Sequence, residues 1–140
     1  MKLIEMKVKD FVNEVDSASP APGGGSVSAL ASALGLALAR MVGHLTFGKK
    51  KYNELSSDVR RMYEDSFNSL DDIKNKLFLL VDKDTEAFEN VMTAFRLPKE
   101  TDTEKEERNK EIQKATVGAI NIPLGISALS YEALRIIDRV

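Results

Sequence analysis

Apolar residues recur at spacings of three and four along most of the chain, which is the spacing of one face of an α-helix. The pattern forms a short segment near residue 10, a nearly apolar segment over residues 26–45, and two long segments on either side of Pro98. No stretch alternates apolar and polar residues as a half-buried strand does. The pattern therefore predicts an all-α protein, built as an up-and-down helical bundle.

The segment over residues 26–45 is rich in alanine, serine and glycine, whose small side chains let neighbouring helices approach closely. Its apolar run is closed by Arg40 and is shorter than the roughly 20 residues that a membrane span needs. We therefore expect a central helix that is buried on all sides, the most buried element of the fold, and no membrane partner. Three methionines on apolar faces are expected in the core: Met41, Met62 and Met92.

The long helical pattern over residues 59–95 is expected to stop at Pro98. Thr101 with Glu104 three residues later is the signature of a capping box, which predicts the start of the last helix. Pro123 lies inside that helix and should kink it. The final residues are still amphipathic, so we expect the chain to stop within a helix.

Composition narrows the possible functions. A chain of 140 residues with 43% hydrophobic content is expected to form a single domain over residues 1–140. A net charge of −2 argues against a nucleic-acid partner. With no cysteine and one histidine, thiolate chemistry and multi-histidine metal sites are excluded, and we expect no metal. The charged first residues are unlike a signal peptide, which favours a cytoplasmic protein.

An acidic residue, Asp84, lies in the apolar stripe of the long helical segment. At 100° per residue, Asp84 and Phe88 fall within about 60° of Leu77, whereas Asp82 falls on the opposite, solvent face. A carboxylate is costly to bury unless it is paired or neutralised. Two interpretations stay open: Asp84 bonds a helix terminus or an arginine of a neighbouring helix, or it is a general acid/base.

The loop over residues 20–26, PAPGGGS, places flexible backbone directly before the apolar helix. It is either a tight turn or a site where exposed N–H groups at a helix start bind an anion. Its glycine spacing matches neither a P-loop nor a dinucleotide motif. Basic residues cluster after Gly48 and again at Arg96 and Lys99, and on a solvated surface such clusters commonly serve solubility alone.

Four stretches occur in order along the chain: PAPGGGSVSALASALGLALARMV, LTFGKKKY, LVDKDTEAFENVMTAFRLPK and an apolar helix containing NIPL. From Phe11 to about Ala133, the chain resembles the cyclodeaminase/cyclohydrolase family, which includes formiminotetrahydrofolate cyclodeaminase. The resemblance implies an all-helical, dimer-forming domain that acts on a tetrahydrofolate derivative, with no cofactor beyond that substrate. Members of the family usually continue with further helices, so this chain is expected to be C-terminally short relative to them.

The resemblance also implies roles for particular residues. The family's catalytic aspartate corresponds to the second aspartate of VDKD, which is Asp84. Its glycine loop looks like part of the folate pocket and its basic positions could meet the folate glutamate tail. The implied substrate-binding residues are Pro22, Gly23, Gly24, Gly25, Ser26, Gly48, Lys49, Lys50, Arg96 and Lys99.

The activity that the resemblance implies is closure of 5-formiminotetrahydrofolate to 5,10-methenyltetrahydrofolate with release of ammonia, a step in histidine breakdown. One buried carboxylic acid can assist both the nitrogen attack and protonation of the leaving nitrogen. Two alternatives remain: a methenyltetrahydrofolate cyclohydrolase, and a non-catalytic folate-binding or dimerisation module. Because the apolar faces exceed what one small bundle can cover, we expect a homodimer or a higher homo-oligomer.

Overall fold

The computed structural model describes residues 2–139. Its α-helices are α1 (Val8–Val15), α2 (Gly24–Thr46), α3 (Lys50–Asn53), α4 (Ser57–Phe95) and α5 (Asp102–Ile137), preceded by a short 3-10 helix at Leu3–Glu5. Across these residues no strand occurs, so the all-α prediction is confirmed.

Three long helices, α2, α4 and α5, form the bundle. α4 runs antiparallel to α2: the hydroxyl of Ser26, near the start of α2, donates to the carbonyl of Val81, late in α4, at 2.7 Å. At the other end of α2, Arg40 forms an ion pair of 3.2 Å with Asp71 of α4. α5 turns back along α4, and its second half packs beside α2, where the hydroxyls of Ser32 and Ser130 are 2.9 Å apart. The three helices therefore have the predicted up-and-down order.

The core lies where the three long helices meet. Ala29 and Ala33 of α2 are buried, and their small side chains let α2 approach α4 closely. The remaining buried core residues are Leu36 of α2, Leu70, Ile73, Leu77 and Val81 of α4, Ile126 and Ala133 of α5, and Phe11 of α1.

The prediction that α2 is buried on all sides is wrong for the single chain. Each helix of a three-helix bundle has only two neighbours, so one side of α2 stays uncovered, and Leu34 is 59% exposed there. The three methionines expected in the core, Met41, Met62 and Met92, are also exposed. By length and composition, α2 and α5 could each cross a membrane. This is weak evidence for a membrane protein, because a core helix can be equally long and apolar.

Helix ends follow the signals in the sequence. α4 ends at Phe95, ahead of Pro98, and Gly48 adopts a φ of 76° just after α2, a conformation that favours glycine. α5 remains helical through Pro123 and ends at Ile137, before a turn. The expectation that the chain stops within a helix concerns Val140, which lies outside the described residues.

The predicted capping box is present at the start of α5. The Thr101 hydroxyl accepts the N–H of Glu104 at 3.2 Å, and the Glu104 carboxylate accepts the N–H of Thr101 at 2.9 Å. The bond from the Thr101 backbone, with a further one from Glu100, holds the pKa of Glu104 below its usual value.

Thr101→Ala is expected to lower the free energy of unfolding by about 1 kcal/mol, because the first turn of α5 loses its side-chain acceptor.

Glu104→Gln should remove a pH-dependent contribution to the free energy of unfolding. Because folding lowers the pKa of Glu104, its ionised form stabilises the fold above the unfolded pKa, and this stability is lost as the pH falls through the folded pKa. Urea denaturation at neutral and acidic pH measures both effects. A Glu104→Gln deficit of equal size at both pH values would contradict the assignment.

Candidate active site

The Asp84 side chain lies at the start of α2. Its Oδ2 accepts the backbone N–H of Ser26 at 2.9 Å and is 3.4 Å from the Ser26 hydroxyl. The residue that precedes α2, Gly23, has no side chain to cap the helix, so a carboxylate from α4 does this instead. The unpaired N–H groups and the dipole of a helix N-terminus both favour a negative charge. Bonding of Asp84 to a helix terminus, one of the two sequence-based interpretations, is therefore confirmed.

Gly25 makes this contact possible. A Cβ at position 25 would lie 2.0 Å from Oδ1 of Asp84 and 2.3 Å from its Cγ, which is far inside van der Waals contact. At Gly24, by contrast, a Cβ would meet no atom within 4 Å. The run of glycines at the start of α2 is thus explained at position 25, where only glycine leaves room for the Asp84 carboxylate.

Gly25→Ala is expected to lower the free energy of unfolding by about 1–3 kcal/mol, because the new methyl displaces the carboxylate from the Ser26 N–H. Gly24→Ala is the matched control and should be neutral or slightly stabilising, since alanine favours a helix and the space is open. Urea denaturation of both variants measures the difference. Equal stability of the two variants would contradict the described contact.

Two loop residues that were expected to bind substrate instead support the loop. Ser26 is fully buried, and its hydroxyl donates to the Val81 carbonyl, which fastens the first turn of α2 to α4. Pro22 is buried as well. Neither residue lines the cavity beside Asp84, so their predicted contact with substrate is not supported by the structure. The reason is that the loop turns these two side chains into the protein.

A cavity of about 470 Å³ opens between α4, α5 and the loop over residues 20–26, which we call the glycine loop. Gly23, Gly24 and Gly25 form one wall, Asp84 and Phe88 of α4 another, and Ile120 of α5 a third. Among its lining residues that the structure describes, Asp84 is the only ionisable one. A mostly apolar pocket of this size with one aimed polar group is typical of small-molecule sites.

The α5 wall was missed by reasoning from the sequence. Thr116, Ile120 and Pro123 line the cavity, as does Thr85 beside Asp84. Pro123 and Thr85 lay in stretches that had been singled out, as part of NIPL and of LVDKDTEAFENVMTAFRLPK, but neither was expected to line the site. Thr116 and Ile120 are ordinary helix residues, and their place in the cavity wall depends on how α5 packs against α4.

A larger cavity of about 650 Å³ lies between α4 and α5 and shares Ala119 with the first. It is lined by Lys83 and Lys114 together with Glu86 and Glu111, and neither Asp84 nor the glycine loop reaches it. We place the candidate site in the smaller cavity, because only there does a carboxylate meet exposed backbone in an otherwise apolar wall.

The structure does not bring the predicted basic residues to Asp84. Gly48, Lys49 and Lys50 follow the far end of α2, whose 23 residues separate them from the glycine loop by about 34 Å. Arg96 and Lys99 are exposed beyond the end of α4, and Arg96 is about 18 Å along the helix from Asp84. Helix length is the physical reason, so within one chain these five residues do not line the Asp84 cavity, and their contact with substrate stays a prediction.

A family model described as "Formiminotransferase-cyclodeaminase" matches residues 7–140. The chain belongs to the formiminotransferase-cyclodeaminase family. The resemblance read from the sequence motifs is therefore confirmed, and the Asp84 cavity is the candidate site of a domain from that family.

Relatives within this family carry two names. The chain is 37% identical over 133 residues to methenyltetrahydrofolate cyclohydrolase of Methylorubrum extorquens, covering 95% of this chain and 62% of that protein. It is 38% identical over 125 residues to formimidoyltransferase-cyclodeaminase of Sus scrofa, covering 89% of this chain and 22% of that protein. The chain thus spans less than two thirds of either relative.

A solved structure has the same fold. The crystal structure of formiminotetrahydrofolate cyclodeaminase from Thermotoga maritima aligns with a TM-score of 0.61 and 26% identity, covering 98% of this chain and 77% of that one. The helical bundle of this chain therefore matches the fold of that cyclodeaminase over 98% of the chain described here.

Proposed function

We propose that this protein is a formiminotetrahydrofolate cyclodeaminase, with Asp84 as general acid/base. One observation carries the proposal: the Asp84 carboxylate faces a mostly apolar cavity and is held there by the Ser26 N–H at 2.9 Å. A carboxylate used only to cap a helix has no need of a cavity, whereas one that exchanges protons with a ligand does. The names of the relatives supply the substrate class, a one-carbon derivative of tetrahydrofolate.

The proposed reaction needs one proton to move between two nitrogens. N10 of 5-formiminotetrahydrofolate attacks the formimino carbon, and a new carbon–nitrogen bond forms. With the formimino group entering in its protonated =NH2+ form, Asp84 takes the proton that N10 loses and returns it to that nitrogen. The bond from this nitrogen to carbon then breaks as ammonia leaves, and the positive charge stays on the methenyl bridge. Because Oδ2 is bonded to Ser26, we assign the proton transfer to Oδ1. The step uses the substrate and Asp84, with no further cofactor.

Methenyltetrahydrofolate cyclohydrolase is the second candidate, since the relative with 37% identity over 133 residues has that name. In this reaction water attacks the methenyl carbon, and the same carboxylate takes one proton from the water. The bond from that carbon to N5 then breaks as the remaining hydroxyl proton passes to N5, which leaves a formyl group on N10. Both reactions pass through the same carbon bridge between N5 and N10, so one cavity serves either.

An assay with both substrates tests the proposal. Release of ammonia from 5-formiminotetrahydrofolate, with the methenyl product formed at the same rate, is the expected result. Hydrolysis of 5,10-methenyltetrahydrofolate without ammonia release from the formimino substrate would assign the cyclohydrolase instead. Binding of both folates without turnover would overturn an enzymatic function and leave a binding module.

A further inference from the structure

Thr85 lies in the wall of the Asp84 cavity and directly follows Asp84 along α4. Its Oγ1 is 3.4 Å from the hydroxyl oxygen of Ser26, and the distance alone allows either hydroxyl to donate. Among the described residues, this is the hydrogen-bond partner that the Thr85 hydroxyl has. The proposed mechanism uses Asp84 alone and leaves this hydroxyl without a function.

The Ser26 hydroxyl determines which way the proton of Thr85 points. A hydroxyl has one proton to donate and two lone pairs with which to accept. Ser26 donates its proton to the Val81 carbonyl at 2.7 Å, a much shorter distance than the 3.4 Å to Thr85 or to Oδ2 of Asp84. Ser26 is completely buried, so solvent does not compete for this bond. The Ser26 oxygen is therefore left to accept, and Thr85 donates inward to it.

The Thr85 hydroxyl consequently offers lone pairs to the cavity. An ionised Asp84 does the same, because a carboxylate has no proton to donate. Oδ2 of Asp84 and Oγ1 of Thr85 both lie 3.4 Å from the same Ser26 oxygen, so one small group in the cavity can reach both side chains. The α4 wall thus presents a pair of hydrogen-bond acceptors, one of which carries a negative charge.

We propose that Thr85 determines specificity: with Asp84 it binds the two N–H groups of the protonated formimino nitrogen, and it thereby selects a formimino over a formyl substrate. The identity of the ligand rests on the proposed function. The =NH2+ group is a planar cation with two N–H donors, which matches two acceptors of which one is charged. This contact also holds the nitrogen beside the carboxylate that returns a proton to it.

A formyl group is the appropriate comparison because it has nearly the same size and shape. It presents an oxygen where the formimino group presents =NH2+, and this oxygen has lone pairs and no proton. Its lone pairs would face those of Asp84 and Thr85, so the same two residues that attract one substrate repel the other.

The charge of the cavity supports a cationic group. Asp84 is the one ionisable lining residue among those described, so the wall carries a negative charge when that carboxylate is ionised. In mostly apolar surroundings a charge is costly unless an opposite charge matches it. The larger cavity lacks this preference, because its two lysines, Lys83 and Lys114, balance Glu86 and Glu111.

Thr116 is the competing second acceptor, since it also lines the Asp84 cavity. It lies on α5, however, whereas Thr85 adjoins Asp84 on α4 and shares the contact with Ser26. That shared contact is what directs the Thr85 proton away from the cavity. The observations therefore favour Thr85.

Two ligands that cannot react test the selection directly: 5-formimino-10-deazatetrahydrofolate and 5-formyl-10-deazatetrahydrofolate. Each has carbon in place of N10, so neither can cyclise, and they differ only in the =NH2+ group or the oxygen. The parent chain is expected to bind the formimino probe at least about tenfold more tightly than the formyl probe, the scale of one hydrogen bond to a charged group. Titration calorimetry measures both affinities.

Thr85→Val keeps the shape of the side chain and removes the acceptor. It should weaken binding of the formimino probe by about tenfold and change binding of the formyl probe by less than about twofold. Thr85→Ser restores a hydroxyl and should restore the preference. A purely structural role would weaken both probes alike, so the ratio of the two affinities isolates the acceptor.

Thr93→Val is the matched control on the same helix. Thr93 lies outside the Asp84 cavity, and its hydroxyl donates to the Glu89 carbonyl at 2.9 Å. Thr93→Val should keep the parent's affinities for both probes. With 5-formiminotetrahydrofolate as substrate, Thr85→Val should raise KM by about tenfold and change kcat by less than about threefold, because the contact is already made in the ground state.

Four results would overturn the inference. The first is equal affinity of the parent for the two probes, since N–H donors of the glycine loop would then hold a formyl oxygen equally well. The second is an equal loss for both probes in Thr85→Val, and the third is loss of the preference in Thr116→Val with Thr85→Val unchanged. The fourth is a parent that binds neither probe.

The proposed function can fail separately from this inference. A parent that prefers the formimino probe but releases no ammonia from 5-formiminotetrahydrofolate would retain the assigned role of Thr85 in binding and would contradict the proposed catalysis. Ammonia release with equal affinity for both probes would support the proposed function and overturn the role of Thr85.

Discussion

Asp84→Asn is expected to lower turnover by about two to four orders of magnitude, the usual range for removal of a general acid/base. The amide cannot carry the proton between the two nitrogens of the substrate. It keeps an oxygen that accepts the Ser26 N–H, so the fold should lose less than about 1 kcal/mol, the typical worth of a charge at a helix N-terminus. Steady-state kinetics, with folate affinity measured separately, should show a fall in kcat and little change in binding.

The choice of control follows from the structure. Asp82 had been expected on the solvent face, but its Oδ1 accepts the N–H of Leu3 at 2.6 Å and is only partly exposed, so Asp82→Asn would not be silent. Glu89 is exposed on the same helix and lines neither cavity, which makes Glu89→Gln the better control. An Asp84→Asn protein that turns over substrate as fast as Glu89→Gln would rule out Asp84 as the acid/base.

Leu77→Ala is expected to lower the free energy of unfolding by about 3 kcal/mol, because the removed methyl and methylene groups leave a cavity between α4 and α2. Leu77 is completely buried at the centre of the core. Such a loss is a large part of the 5–15 kcal/mol by which domains of this kind are usually stable. Urea denaturation of both proteins at one fixed protein concentration measures the difference.

Leu79→Ala provides the comparison, two residues away on the same helix. Leu79 is 59% exposed, so its truncation should change the free energy of unfolding by less than about 0.5 kcal/mol. Similar losses for Leu77→Ala and Leu79→Ala would contradict the described orientation of α4.

Features that depend on near neighbours in the chain could be predicted from the sequence. Helical spacing predicted the long helices, since it repeats every turn and needs no distant partner. The end of α4 before Pro98 and the capping box at Thr101 are equally local, because each involves residues within four positions of one another. The inward position of Asp84 followed from the same periodicity.

The composition of the candidate site depended on the tertiary structure. Asp84 and Ser26 are 58 residues apart, so the local pattern left open which helix terminus or arginine the carboxylate meets and did not indicate that Gly25 makes room for it. The bond between Asp82 and Leu3 spans 79 residues and was missed for the same reason. The sequence alone thus determined that Asp84 and the glycine run are candidates for the chemistry, and the packing of α4 against α2 decided that they meet.

The burial of α2 also depended partly on the sequence and partly on the tertiary structure. Its apolar composition determined that the helix must be buried, but a helix has the same composition whether its cover comes from its own chain or from another. Only the packed bundle showed that α4 and α5 cover one side of the helix and leave the other side, with Leu34 and Leu38, exposed. Local periodicity specifies which face is apolar, whereas the surface that covers it is set by contacts between distant parts of the chain or between chains.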